Sequence, residues 1–152
     1  MMAREVHAGE SSLAAVALRE LRPHVGSVEE MAERIEHQRA DGYRVAASFE
    51  IETESESEAG DGDAAAVAGF RIRDSLAWGR FLYVDDLVTR ESLRGRGHAD
   101  AVMEWVEEAA RREGCERLHL DSGVGPERAD AHRFYFRHGL RITAYHFARE
   151  LT

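Results

Sequence analysis

At 152 residues the chain has room for one full hydrophobic core but not two, since domains run roughly 100 to 200 residues. Its composition, 43% hydrophobic and 32% charged, is that of a globular protein, and no run approaches the roughly 20 apolar residues that span a bilayer, so a membrane-spanning chain is excluded. A net charge of −9 supplies no basic field to gather nucleic acid or anionic lipid, and a cationic partner fits better.

In chain order, a strand over Arg4 to Ala8 is followed by Ser12 to Leu21, where Leu13, Val16, Ala17 and Leu21 fall near helical spacing. Ser27-Val28-Glu29-Glu30 has the form of a capping box and starts a second helix, with Met31, Ile35 and Ala40 directed toward the core until Asp41-Gly42 turns the chain. Tyr43 to Ile51 and Ala64 to Arg73 read as antiparallel strands. Between them the acidic stretch from Glu50 to Asp63, densest at about 52–63, holds like charges with little apolar surface and is expected as an exposed loop. A third strand spans about Trp78 to Thr89. Gly97 to Arg112 reads as an amphipathic helix, with Ala99, Val102, Met103, Val106 and Ala110 in one apolar stripe. Leu118 and Leu120 alternate with Arg117 and His119 in a short strand. A last helix opens near Pro126, carries Ala131, Phe134 and Tyr135 on one side, and is closed by Gly139. Arg141 to Leu151 reads as a final strand.

The chemistry concentrates in Asp85 to Ala99, where a strand runs into a glycine-bearing turn and then into the amphipathic helix. The first-turn N–H groups of a helix lack intrahelical partners, and glycines let a diphosphate approach that backbone closely. Arg94 and Arg96 add charge-assisted bonds. A Walker loop needs Gly-Lys-Ser/Thr and the chain has no lysine, its 20 basic residues all being arginine. A dinucleotide fingerprint needs glycine or alanine where Asp100 stands.

Arg94-Gly95-Arg96-Gly97-His98-Ala99 resembles the cofactor motif of the GCN5-related N-acetyltransferase (GNAT) superfamily, which reads Arg or Gln, two residues, Gly, one residue, then Gly or Ala. Tyr83 to Val88 before the motif and Ala131 to Leu140 after it recur at the positions expected in that family. The resemblance implies a single α/β domain over 1–152 with a mixed, mostly antiparallel central sheet flanked by helices. It also implies acetyl-CoA as co-substrate, direct transfer to an amine in a ternary complex, and no metal. By the same resemblance the pantetheine arm would lie along Leu87, Val88 and Thr89, and the diphosphate would rest on Arg94, Gly95, Arg96, Gly97, His98, Ala99 and Asp100. Tyr135 matches the family's tyrosine near the cofactor sulfur, where a phenol can protonate the departing thiolate, although it also suits a core position. Arg128 stands where the family often has asparagine, and either a contact to a cofactor phosphate or a solvent-facing position fits it.

Asp85 and Asp86 are the candidate bases for the acceptor amine. Strand side chains alternate faces, so only one of the two is expected to face the substrate. Asp85 is preferred, because some small-amine acetyltransferases carry a glutamate at its position; Asp86 takes its place if a bulge reverses the alternation. A small or cationic amine is the favoured acceptor. Protein N-termini or lysines, and a non-catalytic acyl-CoA-binding module, are the rivals. No partner of nucleic-acid or membrane type is expected, and a homodimer is left open. Cys115, the single cysteine, excludes disulfide scaffolds and thiolate-rich metal sites. With an N-terminus lacking a secretory signal, it favours the cytoplasm.

Overall fold

The computed structural model describes residues 2–50 and 62–152. Most of the acidic stretch, 51–61, lies outside the described residues. The chain divides into two compact units, Met1–His119 and Leu120–Thr152. The elements follow in the order β1 (Met2–Val6), α1 (Ser12–Leu21), α2 (Val28–Arg39), β2 (Arg44–Phe49), β3 (Ala66–Ser75), β4 (Gly79–Thr89), α3 (His98–Arg112), β5 (Arg117–Leu120) and α4 (Ala129–Arg137). Five strands form one sheet in the order β1-β2-β3-β4-β5, with β1 to β4 pairing antiparallel. This is the mixed, mostly antiparallel α/β architecture expected from the sequence.

Alternation decides what each face of the sheet buries. Val6, Val45, Ala47, Val67 and Val88 pack with Ala14, Ala17 and Leu18 of α1 and with Met31 and Ile35 of α2. The other face carries Ser48, which meets His98 of α3, and Phe70, whose ring centroid lies 6.2 Å from that of Trp105 on α3. Of the stripe predicted for α3, Val102, Met103, Val106 and Ala110 are buried and Ala99 is half-buried. Removing the valine and methionine side chains from water contributes roughly 1.5–3 kcal/mol apiece.

The capping box at Ser27 is present: Glu30 N–H donates to Ser27 Oγ at 3.1 Å, and the Glu30 carboxylate accepts from Ser27 N–H at 3.5 Å. Two expectations need correction. Ala40 is exposed, because α2 stops at Arg39 and the chain is already turning where the helical stripe would have continued. No strand is formed within the described residues 141–152. Residue preference sets a local tendency, but a strand exists only through a ladder partner. In the second unit, Pro126–Arg128 form a 3-10 turn that leads into α4, and Gly139 follows that helix at φ 80°.

Candidate active site

Between β4 and α3 the chain passes through a 3-10 turn, Glu91–Leu93, and then through Arg94 to Gly97. Gly95 and Gly97 sit at φ 78° and 88°, left-handed conformations that L side chains avoid. Gly97 is the N-cap of α3, and among the described residues no side chain caps that helix, a geometry whose first-turn donors suit an anion. A Cβ added to Gly95 would meet no atom within 4 Å, so the space before the turn is open. Arg94 is exposed and its Nε leans on Thr89 O at 3.4 Å. Arg96 is already engaged, its Nη1 donating to Glu50 Oε1 at 2.9 Å. Ala99 and Asp100 in the first helical turn are half-buried. His98 shares the turn's backbone, but its side chain points inward and is 1% exposed.

Leu87, Val88 and Thr89 pair with Ala68, Val67 and Ala66 of β3. On the other side of β4, Glu116 N–H donates to Arg80 O at 3.0 Å just before the four-residue β5. That short strand starts beside the beginning of β4 and is too short to reach Leu87 to Thr89.

The β3–β4 ladder pairs Gly69 with Asp86 and Phe70 with Val84, which leaves Asp85 as an extra residue. This is a β-bulge, and it breaks the strict alternation expected from the sequence. Asp85 and Asp86 therefore do not divide between the two faces. The Asp85 carboxylate accepts from Arg71 Nη1 at 2.8 Å, while Arg71 also donates to Gln38 Oε1 and Asp41 O at the end of α2. Asp86 receives Tyr43 Oη at 2.7 Å on one oxygen and Arg22 Nε at 3.0 Å on the other. Both carboxylates thus lean toward α1 and α2. Burial pushes the Asp85 pKa above the ordinary value, against the pull of the Arg71 charge.

Gly69 explains how Tyr43 reaches the bulge. A Cβ at Gly69 would stand 1.7 Å from the Tyr43 hydroxyl, so only glycine leaves the slot through which the ring passes. Burial first, and then the neighbouring Asp86 carboxylate, raise the Tyr43 pKa well above that of a free phenol, so the ring stays a hydrogen-bond donor. Asp86 then borders a cavity of about 190 Å³ walled by Leu18, Met31 and Ile35, with Arg22, His24 and Arg34 adding cationic or ionisable groups. Asp85 does not line it.

In the second unit, α4 carries Tyr135. Burial raises its phenol pKa, and the Arg128 guanidinium pulls it back down. Arg128 is half-buried, and its guanidinium neighbours the Tyr135 phenol. Elsewhere, His119 stacks on Trp78 with centroids 3.8 Å apart, His132 Nε2 lies 2.8 Å from Gly123 O, and burial raises the Cys115 thiol pKa, which disfavours the nucleophilic thiolate. Among the described residues no group of three or more His, Cys, Asp or Glu could hold a metal ion, and no helix is long and apolar enough to cross a membrane.

Sequence reasoning did not find Arg22, Tyr43, Gly69 or Arg71. Gly69 carried a usable signal, since an isolated glycine inside a strand marks a bulge or a close approach. The others come from separate segments and have no local signature.

Comparison with known proteins gives a match to the family described as "Acetyltransferase (GNAT) family" over residues 17–140. An aminoalkylphosphonate N-acetyltransferase of Salmonella typhimurium is 34% identical over 68 residues, 45% of this chain and 43% of that protein. The chain spans about half the length of the curated relatives it matches. Among solved structures, a ribosomal-protein-alanine N-acetyltransferase from Brucella melitensis superposes with a TM-score of 0.78 at 17% identity, covering 99% of this chain and 100% of the other. An acetyltransferase from Trypanosoma brucei does so with a TM-score of 0.73 at 21% identity, covering 98% of both. At these identities the structural likeness speaks for the fold.

Proposed function

The chain belongs to the acetyltransferase (GNAT) family, and on that premise we propose that it is an acetyl-CoA-dependent N-acetyltransferase that passes the acetyl group directly to a small amine in a ternary complex. The family match runs through both compact units, which supports reading 1–152 as one catalytic domain. The observation that carries the proposal is the turn from Arg94 to Ala99, where two left-handed glycines lead into a helix start and Gly95 faces open space. That arrangement suits a diphosphate, with Asp100 at its edge and Arg94 supplying positive charge. The end of β4 at Leu87, Val88 and Thr89, beyond the reach of β5, suits an extended pantetheine arm.

Acetyl-CoA supplies the activated acyl group. The chain's residues then hold the carbonyl, accept one proton and donate another. A β4 backbone N–H directed at the thioester oxygen stabilises the charge that develops as the amine attacks. The new C–N bond forms as the C–S bond breaks. We assign Asp86, which borders the cavity, to receive the proton lost by the amine, directly or through water. Asp85 then has the task of fixing the bulge through Arg71. Following the family pattern, Tyr135 donates its proton to the departing thiolate, and Arg128 offsets part of the rise in phenol pKa that burial causes.

The cavity of about 190 Å³ favours a small acceptor over a protein segment. The overall acidity of the chain favours a cationic amine, whereas Arg22 and Arg34 on the cavity wall favour an amine that carries an anionic group, as does the substrate named for the Salmonella relative. Thiol release from acetyl-CoA, measured with a polyamine, a neutral alkylamine, an aminoalkylphosphonate and a peptide with a free N-terminus, tests both levels. Release with one small amine class supports the proposal and names the acceptor. Release with the peptide alone gives the protein-acetylating reading, and acetyl-CoA binding without release on any amine leaves a non-catalytic binding module.

A further inference from the structure

The turn proposed to hold the diphosphate is weakly held by its own atoms. Gly95 and Gly97 lie at φ 78° and 88°, Arg94 N–H reaches Glu91 O at 3.5 Å, Arg94 Nε reaches Thr89 O at 3.4 Å, and Arg94 to Gly97 are all exposed. An exposed turn held by these bonds alone would lose conformational entropy on gripping an anion. Against this stands one buried polar side chain. His98, the first residue of α3, is 1% exposed, with Nδ1 2.7 Å from Ser48 Oγ and Nε2 3.0 Å from Glu50 Oε1. Ser48 is itself fully buried on β2, and Glu50 follows the end of that strand. The same Glu50 oxygen accepts from Arg96 Nη1 at 2.9 Å. The hydrogen bond from His98 is the largest influence holding the Glu50 carboxyl below its ordinary pKa.

These contacts bracket the turn. Among the described residues, the side-chain hydrogen bonds of 3.0 Å or less that tie Ser92 to His98 to the rest of the chain are the three that meet at Ser48 and Glu50. A neutral imidazole satisfies every partner at once: its Nε2–H donates to the Glu50 carboxylate and its Nδ1 accepts from the Ser48 hydroxyl. The serine–imidazole–carboxylate order resembles a nucleophile relay, but a fully buried Ser48 Oγ meets no substrate, so the array has a different task.

We propose that His98 is a positioning residue, whose buried imidazole pins the start of α3 to Ser48 and Glu50 on β2 and so pre-orders the turn for the diphosphate of acetyl-CoA. The proposal rests on the assignment of the diphosphate to that turn. Pre-ordering removes a cost otherwise met on binding, so its loss acts on cofactors that carry the diphosphate and not on those that lack it.

The test compares kcat/KM for acetyl-CoA with kcat/KM for S-acetylpantetheine, which ends before the diphosphate, at a temperature where thermal melts show every variant folded. The ratio of the two is expected to fall roughly ten- to a hundredfold in His98→Leu. It is expected to fall less in His98→Gln, whose amide can still donate to Glu50, and by an intermediate amount in Ser48→Ala. A role confined to stability would lower the melting temperature and leave the ratio unchanged. Should His98→Leu not fold, Ser48→Ala and Glu50→Gln carry the same comparison. Gly97→Glu separates this inference from the one beneath it. If Gly97→Glu leaves the ratio at its wild-type value, the diphosphate is not at this turn and both fail. If Gly97→Glu lowers the ratio while His98→Leu, Ser48→Ala and Glu50→Gln do not, the positioning role alone is overturned.

Discussion

The turn that starts α3 and the bulge in β4 are built on opposite logic. The turn is contiguous: from Arg94 to Ala99 its chemistry resides in backbone donors and two left-handed glycines. The bulge is composite. Asp85 and Asp86 are placed by Arg71, Tyr43 and Arg22, three residues drawn from three different parts of the chain. A contiguous backbone site is exposed to change at its glycines and at the few side chains that hold it in place, here His98, Ser48 and Glu50, whereas a composite side-chain site can be undone from any of its contributing segments.

The sharpest way to break this contrast is at Gly97. In the Gly97→Glu variant a side chain is forced into a left-handed position and a negative charge enters an anion site. Acetyl-CoA affinity, measured by calorimetry, is expected to fall by roughly a hundredfold or more. Unchanged affinity would remove the turn from the site.

The next largest effects separate the two aspartates. Asp86→Asn is expected to lower kcat by about 10²- to 10⁴-fold with acetyl-CoA affinity retained. Asp85→Asn is expected to leave kcat near its wild-type value, because Asp85 does not line the cavity. If the two variants lose kcat equally, the bulge does not divide their roles. Tyr135→Phe belongs with Asp86→Asn, losing roughly 10- to 10⁴-fold in turnover at constant cofactor affinity; unaltered turnover would return this tyrosine to a packing role.

A smaller effect tests how the composite site is assembled. Gly69→Ala places a methyl group where the Tyr43 hydroxyl stands and is expected to cost about 1–3 kcal/mol in urea unfolding. A neutral outcome would show that Tyr43 does not need the slot.

The smallest effect contrasts the two regions by acid titration. Glu50 beside the turn has its folded pKa lowered from 4.5, so its stabilising contribution is complete above that value and is lost as pH falls through the depressed one. Asp85 at the bulge has its pKa raised from 3.8, so its contribution is complete below that value and is lost as pH rises through the elevated one. Unfolding midpoints measured across the acid range are expected to show opposite changes of slope in Glu50→Gln and Asp85→Asn. Slopes that change in the same direction would contradict the assigned environments.

The sequence by itself determined what depends on neighbours along the chain. Ser27 and Glu30 lie three residues apart, so the capping box that starts α2 could be read directly, and the 3.6-residue spacing of Val102, Met103, Val106 and Ala110 fixed the buried face of α3. The glycines at 95 and 97 marked the turn for the same reason, because a backbone anion site is written in consecutive residues. Tertiary structure alone decided the rest. Whether Asp85 and Asp86 share a side depended on one extra residue in the β4 ladder, which only the pairing with Gly69 and Phe70 reveals. The inward course of His98 depended on Ser48 and Glu50, some fifty residues away in the chain. The run from Arg141 to Leu151 forms no strand, because residue preference sets only a local tendency while the hydrogen-bonded partner comes from elsewhere in the fold.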